Sequence, residues 1–310
     1  MRIFVTGATG FIGSAVVQEL INAGHAVIGF TRSDEGAKSL IAAGAEVHRG
    51  DLEDLESLHS GAAMSDAVIH TAFIHDFSKF KENCEIDKRA IEALGSALEG
   101  SDRPLIVTSA TGMVAPGRLA TEEDDHVPSS ARMPRASEEA AASVASRGVR
   151  VSVVRLPQVH DRVKQGLVTF AIAVAREKRV SAYVGDGQNR WPAAHRLDCA
   201  HLYRLVPEKG SAGARCHAVG EEGVPVREIA EAIGRGLKLP TVSLSAEQAA
   251  EHFGWLAFFV GSDLPSSSAL TQQRLGWRPM HTRLLDDLEH ARDFETESAK
   301  IKEGRRAANQ

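Results

Sequence analysis

Short apolar runs alternate with longer amphipathic stretches along the first half of the chain. The run from Arg2 to Val5 is rich in β-branched and aromatic residues, and it breaks at Thr6-Gly7. Apolar residues then recur at helical spacing from Phe11 to Leu20. This pattern predicts a buried strand, a glycine-rich turn and an amphipathic helix. Further runs with the composition of buried strands follow at Ala26–Phe30, Ala45–His48, Ala67–His70, Leu105–Thr108 and Val149–Val154.

The intervals between these runs have helical spacing, most clearly from Phe77 to Leu98. Strands that alternate with helices in this way are typical of a doubly wound parallel sheet. We therefore predict an α/β fold with a Rossmann domain over residues 1–157. In such sheets the ligand binds beyond the carboxyl ends of the strands. The residues that should meet at this crevice are Thr6, Arg32, Asp51, Ala72, Ser109 and Pro157.

The pattern changes after Pro157. A helix is predicted at Leu167–Lys178, and it is followed by a short strand at Ala182–Val184. The later elements predicted by the same criteria are a strand at Cys216–Val219 and helices at Val226–Leu237, Ala246–Phe253, Leu264–Leu275 and Leu284–Phe294. This succession predicts that residues 158–298 form mainly a smaller, mixed α/β substrate-binding cap. The charged residues 299–310 are expected to form a frayed tail.

The glycines of the first turn have the spacing of a dinucleotide-binding motif. Gly7 permits a tight turn, Gly10 lets backbone amides approach a pyrophosphate, and Gly13 lets the helix pack closely on the strand. The helix offers unpaired amide donors and a partial positive charge to phosphate groups. Glycine triplets also occur in turns that bind nothing, but here both flanking elements are predicted. The turn, including Thr9, is therefore a candidate nucleotide site.

The end of the second predicted strand bears on the choice of cofactor. An acidic residue there would bind the adenosine ribose hydroxyls and repel a 2′-phosphate. Arg32 instead offers a planar fork to a phosphate, Ser33 offers a hydroxyl, and Lys38 follows one turn into the next helix. These residues predict NADP(H). The alternative is that Arg32 is a solvated charge at the end of a strand, and Asp34 leaves that alternative open.

Composition and charge argue against several kinds of partner. The net charge of −5 gives no basic footprint for nucleic acid or for an anionic membrane surface. No apolar run approaches the roughly 20 residues of a membrane-spanning helix, and the early first strand predicts no leader peptide. Cys84, Cys199 and Cys216 lack paired spacing, which predicts reduced thiols and a cytoplasmic protein. The 13 histidines lack the spacing of metal ligands, so no metal is expected.

Several motifs follow one another in the order found in one enzyme superfamily. They are TGATGFIG at the first turn, GDL, HTAF and TSAT at later strand ends, RLP after the sixth strand, and GDG, NRW and HRLD beyond it. From Met1 to about Phe294 the chain resembles the short-chain dehydrogenase/reductase superfamily, in its extended, NAD-dependent epimerase/dehydratase-like branch. The resemblance implies a small-molecule substrate and, as in many members, a homodimer.

The resemblance also implies which residues bind the cofactor. Those expected at the pyrophosphate are Gly7, Gly10, Phe11, Ile12 and Gly13. Arg32 would bind the 2′-phosphate, and Asp51 with Leu52 would contact the adenine. Those expected along the rest of the cofactor are Thr71, Ala72, Phe73, Ser109, Leu156 and Pro157. Ser109 also matches the catalytic Ser/Thr of the family.

The catalytic pair of the family is replaced in this chain. The acid of the family is a tyrosine, followed four residues later by a lysine, on the helix before the sixth strand. Pro134 and Glu138 stand at these positions, and the two tyrosines, Tyr183 and Tyr203, lie elsewhere in the sequence. A proline side chain has no proton to donate, and a glutamate raises the pKa of a neighbouring acid. We therefore predict an atypical member without the usual proton relay.

Reduction without a positioned acid suits a substrate that needs little help, such as a quinone, an enone or an iminium. We predict an NADP(H)-dependent reductase of small carbonyl-like or activated apolar compounds, in which the dinucleotide supplies the hydride. Ser109 is the best remaining donor, with Thr111 beside it, and the alternative is that both side chains only cap the strand. A non-catalytic NADP(H)-binding redox sensor is the competing function. Sugar-nucleotide epimerisation is disfavoured because it needs a tyrosine base.

Three residues of the predicted cap are candidates for substrate contact. Tyr183 lies on a short strand and could direct its hydroxyl into the pocket, while Trp191 could line an apolar wall. His195 precedes Arg196 and Asp198 in a segment that could face the substrate or dock the domains. Each has a structural alternative, because aromatic rings on short strands often pack in the core and Arg196 could form an ion pair with Asp198.

Overall fold

A parallel sheet lies at the centre of the fold. The computed structural model describes residues 1–112, 114–130 and 134–291. Within these ranges the strands are β1 (Arg2–Thr6), β2 (Ala26–Thr31), β3 (Glu46–Arg49), β4 (Ala67–His70), β5 (Pro104–Ala110), β6 (Arg150–Leu156), β7 (Gln158–His160), β8 (Ser181–Val184), β9 (Arg190–His195), β10 (Arg215–His217), β11 (Glu221–Pro225) and β12 (Thr241–Leu244). The helices are α1 (Phe11–Asn22), α2 (Asp34–Ala43), α3 (Leu55–Ala63), α4 (Phe80–Ser96), α5 (Ser137–Ser146), α6 (Leu167–Lys178), α7 (Arg196–Lys209), α8 (Val226–Leu237), α9 (Ala246–Phe253), α10 (Ala257–Val260), α11 (Ala269–Leu275) and α12 (Leu284–Glu289).

The central sheet confirms the predicted doubly wound α/β fold. Among the described residues it has seven strands in the order β10-β6-β5-β4-β1-β2-β3. Each neighbouring pair of strands is parallel. The direction of winding reverses between β1 and β4, and ligands of such sheets bind at this reversal, beyond the carboxyl ends of the strands. The glycine turn after β1 therefore opens onto the crevice of the fold.

The inner strands β1, β2 and β4 are mostly apolar because both faces of the sheet are covered. Ile3 and Val5 of β1 enter the core formed with α1 and α7, whereas Phe4 enters the core formed with α3, α4 and α5. All three side chains are fully buried. Burial on both faces replaces the alternation of apolar and polar residues by a continuous apolar run, which is the signal that the sequence carries.

A second packing unit, called the second lobe here, comprises residues 158–195, 221–264 and 284–291. Its small sheets are β7-β9-β11 and β8-β12, and α6, α8, α9 and α12 pack around them. Val226, Ile229 and Ile233 of α8 are buried on one face of that helix, as its helical spacing predicts. The smaller mixed α/β unit of the predicted fold is therefore present.

Residues 196–219 follow the predicted boundary at residue 157, and they pack with the central sheet. β10 joins the central sheet beside β6, with Cys216 in register with Val154. α7 runs parallel to α1 on the same face of the sheet, and the Arg204–Glu19 ion pair joins the two helices at 2.8 Å. Both elements therefore pack with the nucleotide sheet. A three-residue strand carries no local sign of the sheet that it joins, which is why the sequence assigns it to the cap.

Smaller differences concern the limits of helices. The helix predicted at Leu264–Leu275 begins at Ala269, because Ser266 forms a bridge with Ala120 that keeps this segment extended. The helix predicted from Phe77 begins as α4 at Phe80, after a single 3₁₀ turn. The end of the last predicted helix and the predicted tail at residues 299–310 lie outside the described residues.

The cysteines are buried thiols. Cys84, Cys199 and Cys216 are free and buried. Burial raises the pKa of Cys84 to about 11 and that of Cys216 to about 12, so both stay protonated at neutral pH. In the part of the chain that the structure describes, no helix combines the length and the apolar character needed to cross a membrane.

A substitution at Trp277 tests whether α7 packs in one core with α1 and the central sheet. Its side chain is fully buried in the core shared by α1 and α7, and its indole N–H donates to the Asp198 carbonyl at 2.9 Å. We expect Trp277→Ala to lower the free energy of unfolding by about 3–5 kcal/mol, because it leaves a cavity in this core. Trp255→Ala is the matched control, since Trp255 is 47% exposed. Urea unfolding that shows equal losses for both variants would contradict the packing described here.

Candidate active site

The turn after β1 has the shape of a dinucleotide cradle. Gly7 has a φ of +69°, and the amide of Gly10 donates to the Gly7 carbonyl at 2.8 Å. A Cβ on Gly13 would lie 2.0 Å from that carbonyl oxygen, so only glycine fits where α1 approaches β1. No side chain caps the N-terminus of α1. Amide donors at this end therefore face the crevice, and the turn fits a pyrophosphate group.

The residues after β4 hold the other side of this turn. The Thr71 hydroxyl donates to the Thr6 carbonyl at 2.7 Å. A Cβ on Gly7 would meet the amide nitrogen of Ala72 at 2.7 Å, so the two strand ends are in direct contact. The structure thus brings together the predicted cofactor residues of the first and fourth strands.

The predicted 2′-phosphate residues lie together at the end of β2. The Arg32 guanidinium is 78% exposed and lies 3.6 Å from the Asp51 carboxylate. The Ser33 hydroxyl already accepts a hydrogen bond from the Gly36 amide at 3.0 Å, as the N-cap of α2. The Thr9 methyl group lies beside Gly36, which places the glycine turn next to the start of α2. Arg32 and Lys38 are both exposed and remain accessible to a phosphate.

Ser109 lies at the end of β5, in register with Arg155 of β6. Its side chain is buried, with 7% exposure of the residue. Thr111 also is buried, and its amide donates to the Leu156 carbonyl at 3.0 Å. Through this hydrogen bond Thr111 connects the end of β5 to the end of β6, which is a structural role. Ser109 and Leu156 therefore lie close together on the neighbouring strands β5 and β6, at the edge of the crevice.

Glu138, near the start of α5, forms a buried ion pair with Arg155. The Arg155 guanidinium donates two hydrogen bonds to the carboxylate, at 2.9 and 2.8 Å, and Arg155 is fully buried. Burial raises the pKa of Glu138, but the hydrogen bonds and charge of Arg155 outweigh it, with a hydrogen bond from Ser109 adding to them, so the pKa is lowered. Glu138 is therefore an ionised carboxylate that joins α5 to β6.

A second buried polar chain runs from the glycine turn to α5. The Thr6 hydroxyl lies 2.7 Å from His70 Nδ1, and His70 Nε2 lies 3.1 Å from the Asp87 carboxylate. The Ser137 hydroxyl donates to the other oxygen of Asp87 at 2.6 Å. Sequence reasoning missed this chain. His70 in the HTAF segment was the one indication in the sequence. Its partner Asp87 lies on α4, and the local sequence does not show which side of that helix faces His70.

The two tyrosines are occupied elsewhere. The Tyr203 hydroxyl lies 2.6 Å from the Thr108 hydroxyl inside the core, where burial strongly raises its pKa. The Tyr183 ring lies on β8 in the second lobe, under the Arg227 guanidinium at 5.6 Å. Neither arrangement places a phenol beside Glu138, and the position of Tyr183 does not favour the substrate contact predicted for it.

The other predicted substrate residues also have structural partners. Trp191 is 1% exposed in the core of the second lobe, and its indole N–H donates to the Phe259 carbonyl at 2.9 Å, so its side chain has a structural role there. His195 begins α7 by accepting from the Leu197 amide, and its ring stacks on His281 at 4.9 Å. It also lines a polar cavity of about 490 Å³, where its side chain is accessible to a ligand.

Cations surround the crevice. The guanidinium of Arg196 lies 5.3 Å from the centre of the Phe11 ring, and Lys164 Nζ lies 5.9 Å from it. Arg196 is held by the Asp161 carboxylate at 3.2 Å. Arg135 covers the Phe73 ring at 5.3 Å. The arrangement favours an anionic ligand along the crevice. Within the described ranges, no three His, Cys, Asp or Glu side chains are grouped as metal ligands would be.

Comparison with known proteins agrees with this geometry. The model of the NAD dependent epimerase/dehydratase family matches residues 3–219. An uncharacterised protein of Schizosaccharomyces pombe is 51% identical over 290 residues, covering 93% of this chain and 98% of the relative. A second, from Saccharomyces cerevisiae, is 44% identical over 291 residues, covering 93% and 98%. The UDP-glucose 4-epimerase of Thermotoga maritima has the same fold, with a TM-score of 0.73, 20% identity and coverage of 96% and 100%.

Two more distant relatives have reductase names. A putative NADPH-dependent methylglyoxal reductase of Candida albicans is 32% identical over 148 residues, 41% of this chain and 42% of the relative. A quinoline-oxide ketoreductase of Stigmatella aurantiaca is 24% identical over 326 residues, covering 94% and 96%.

The Glu138–Arg155 pair predicts a measurable stability effect. We expect Glu138→Gln to lower the free energy of unfolding by about 3–5 kcal/mol at pH 7, because it leaves Arg155 buried without its partner. Glu139→Gln is the control on the same helix, since Glu139 bonds only the exposed Ser129.

The same pair predicts a pH dependence. Because the folded state lowers the pKa of Glu138 from 4.5, its contribution is complete above that value. The contribution is lost as the pH falls through the lowered value of the folded state. Urea unfolding from pH 7 to pH 3 should therefore show a difference between wild type and Glu138→Gln that shrinks at acid pH. A difference that stays constant would contradict the assignment.

Proposed function

This chain belongs to the NAD dependent epimerase/dehydratase family, and we propose that within it the protein is an NADP(H)-dependent reductase of small carbonyl-like or activated apolar substrates. The observation that carries the proposal is the uncapped glycine turn, in which Gly13 packs against the Gly7 carbonyl at the open edge of the sheet. Members of this family bind a nicotinamide dinucleotide. The chain keeps the residues that hold it and replaces those that relay a proton.

Arg32 is the basis for proposing NADP(H). Its exposed guanidinium at the end of β2 can donate two hydrogen bonds to the oxygens of the 2′-phosphate. The name of the Candida albicans relative, an NADPH-dependent reductase, supports the same choice. Asp51 competes for Arg32 at 3.6 Å, so part of the binding energy of the phosphate is spent on replacing this ion pair.

The chain's own residues position the reactants in this proposal. When bound, the dinucleotide supplies a hydride. The turn at Gly7, Gly10 and Gly13 binds its pyrophosphate, and Leu156 with Pro157 forms the wall expected beside the nicotinamide. Ser109, held near Glu138, contacts the substrate. Orientation is then the main contribution of the protein.

The missing relay restricts the substrate. A positioned acid typically contributes on the order of 10²–10⁴ in rate, so its loss is tolerable only for strongly electrophilic compounds. Quinones, enones and iminium ions fit this description. The names of the methylglyoxal reductase and ketoreductase relatives are consistent with carbonyl reduction.

A non-catalytic NADP(H)-binding redox sensor is the second candidate function. The observation that favours it is the pairing of Glu138 with Arg155, which commits the lysine position to a structural contact. As part of the same proposal we keep a cytoplasmic location, a homodimer and a substrate-binding role for the second lobe.

A substrate panel separates the two functions. We expect the protein to oxidise NADPH in the presence of one or more quinones or enones, followed as loss of absorbance at the reduced-nicotinamide band. Tight NADPH binding by calorimetry without turnover of any panel member would contradict the reductase and support the sensor. A Gly13→Val variant, which fills the cradle, is the control that must lose both properties.

Arg32 should set the preference between the two dinucleotides. We expect Arg32→Ala to weaken NADPH binding about tenfold or more while leaving NADH binding within about twofold, because only NADPH carries the 2′-phosphate. Arg49→Ala is the control, since Arg49 is a nearby strand-end cation that pairs with Asp34. Calorimetric titrations in which the Arg32 variant binds NADPH as wild type does would remove Arg32 from the site.

A further inference from the structure

Arg135 follows Pro134 directly, at the place where the family carries its tyrosine. Its half-buried guanidinium lies 5.3 Å from the centre of the Phe73 ring, and its Nε donates a long hydrogen bond to the Ser137 hydroxyl at 3.4 Å. In the part of the chain that the structure describes, its two terminal nitrogens have no hydrogen-bond or ion-pair partner. A guanidinium with unused donors thus stands at the edge of the crevice.

The carboxylates near Arg135 are committed to other groups. Glu138 binds Arg155 with both oxygens, and Asp87 bonds His70 and Ser137. The charge of Arg135 therefore acts on the crevice. The pKa of the nearby His75 shows the effect of this charge. Burial lowers that pKa most, and the charges of Lys164 and Arg135 lower it further.

Carbonyl reduction creates a charge that this cation can meet. As a hydride adds to the carbonyl carbon, or to the far carbon of an enone, the π-electron pair moves onto oxygen and leaves an oxyanion. The tyrosine and lysine of the family supply a proton and a cation at this stage. A guanidinium keeps its own proton, so here the oxygen is stabilised by hydrogen bonds and takes its proton from solvent water afterwards.

We infer that Arg135 is a catalytic residue that binds the substrate oxygen through its free guanidinium nitrogens and stabilises the negative charge that develops on it. This inference rests on the proposed reductase function and narrows its substrates. The arrangement suits best those compounds whose oxyanion is stable until water protonates it. Quinones and enones give oxyanions of this kind.

Phe73 and Ser137 determine how Arg135 is presented. The flat guanidinium lies over the face of the Phe73 ring, where the attraction between cation and ring holds it without using its hydrogen-bond donors. Ser137 binds only Nε. The remaining donors are left for a ligand. Lys164 and Arg196 lie over the Phe11 ring, at the start of α1.

Two variants of Arg135 and one control test the inference. We expect Arg135→Met to lower kcat for the best quinone or enone by about 10²–10³, the usual cost of removing one oxyanion donor. Its affinity for NADPH should stay within about twofold of wild type. Arg135→Lys should recover part of the loss, since it keeps the charge without the fork. Arg147→Met is the control, because Arg147 is the C-cap of α5, at the end of the helix away from Arg135, where it pairs with Glu99.

A binding measurement provides a readout that does not depend on turnover. We use 4-nitrophenol, whose anion absorbs visible light, as a probe of the oxyanion site in the presence of NADP⁺. Wild type and Arg147→Met should lower the pKa of the bound phenol by about one unit or more, as a neighbouring cation does. Arg135→Met should abolish this shift.

The outcomes separate the inference from the proposed function. Turnover by wild type with an unchanged kcat in Arg135→Met would overturn the role of Arg135 and leave the reductase intact. Absence of turnover across the panel would overturn the reductase, and the phenol titration would then decide: a shift that depends on Arg135 supports the oxyanion site, and no such shift overturns it. A loss of NADPH affinity equal to the loss of kcat would show a structural role instead.

Discussion

The contact between Gly13 and the Gly7 carbonyl is the constraint on which the site depends. A side chain at Gly13 would meet that oxygen at 2.0 Å, so the start of α1 can lie against the end of β1 only without one. This contact directs the uncapped amides of α1 into the crevice, and Thr71 and Ala72 close the turn from the neighbouring strand. The phosphate-binding end of the site is thus built from backbone, which leaves the side chains free to vary.

The opposite end of the crevice shows such variation. At the position that the resemblance aligns with the lysine of the family, Glu138 forms a buried ion pair with Arg155. Two opposite charges that satisfy each other in a buried site are costly to separate, because the loss of one leaves the other buried without compensation. In the proposed reductase the positive charge at the substrate therefore has to come from another residue, and Arg135 is the cation that directly follows Pro134.

The sequence predicts those parts of the structure that depend on local pattern. β1 to β6 and the glycine turn are recognisable because most of these strands are short apolar runs between helical stretches and because glycine spacing reflects backbone geometry. The position of β10 and α7 is not predictable in this way, since Cys216 pairs with Val154 and Glu19 pairs with Arg204 across long stretches of chain. Trp191 illustrates the same limit, because an aromatic residue on a short strand has the same local pattern in a core as in a pocket.

The packing of α7 connects the second lobe to the cofactor end of the site. Arg196 opens α7 and lies over Phe11, which opens α1, because the two helices run parallel on one face of the sheet. β9 leads from the second lobe directly into Arg196, and the Asp161 carboxylate of the same lobe lies 3.2 Å from the Arg196 guanidinium. The cation beside the glycine turn is therefore positioned from two sides, by the packing of α7 on α1 and by an ion pair with the second lobe.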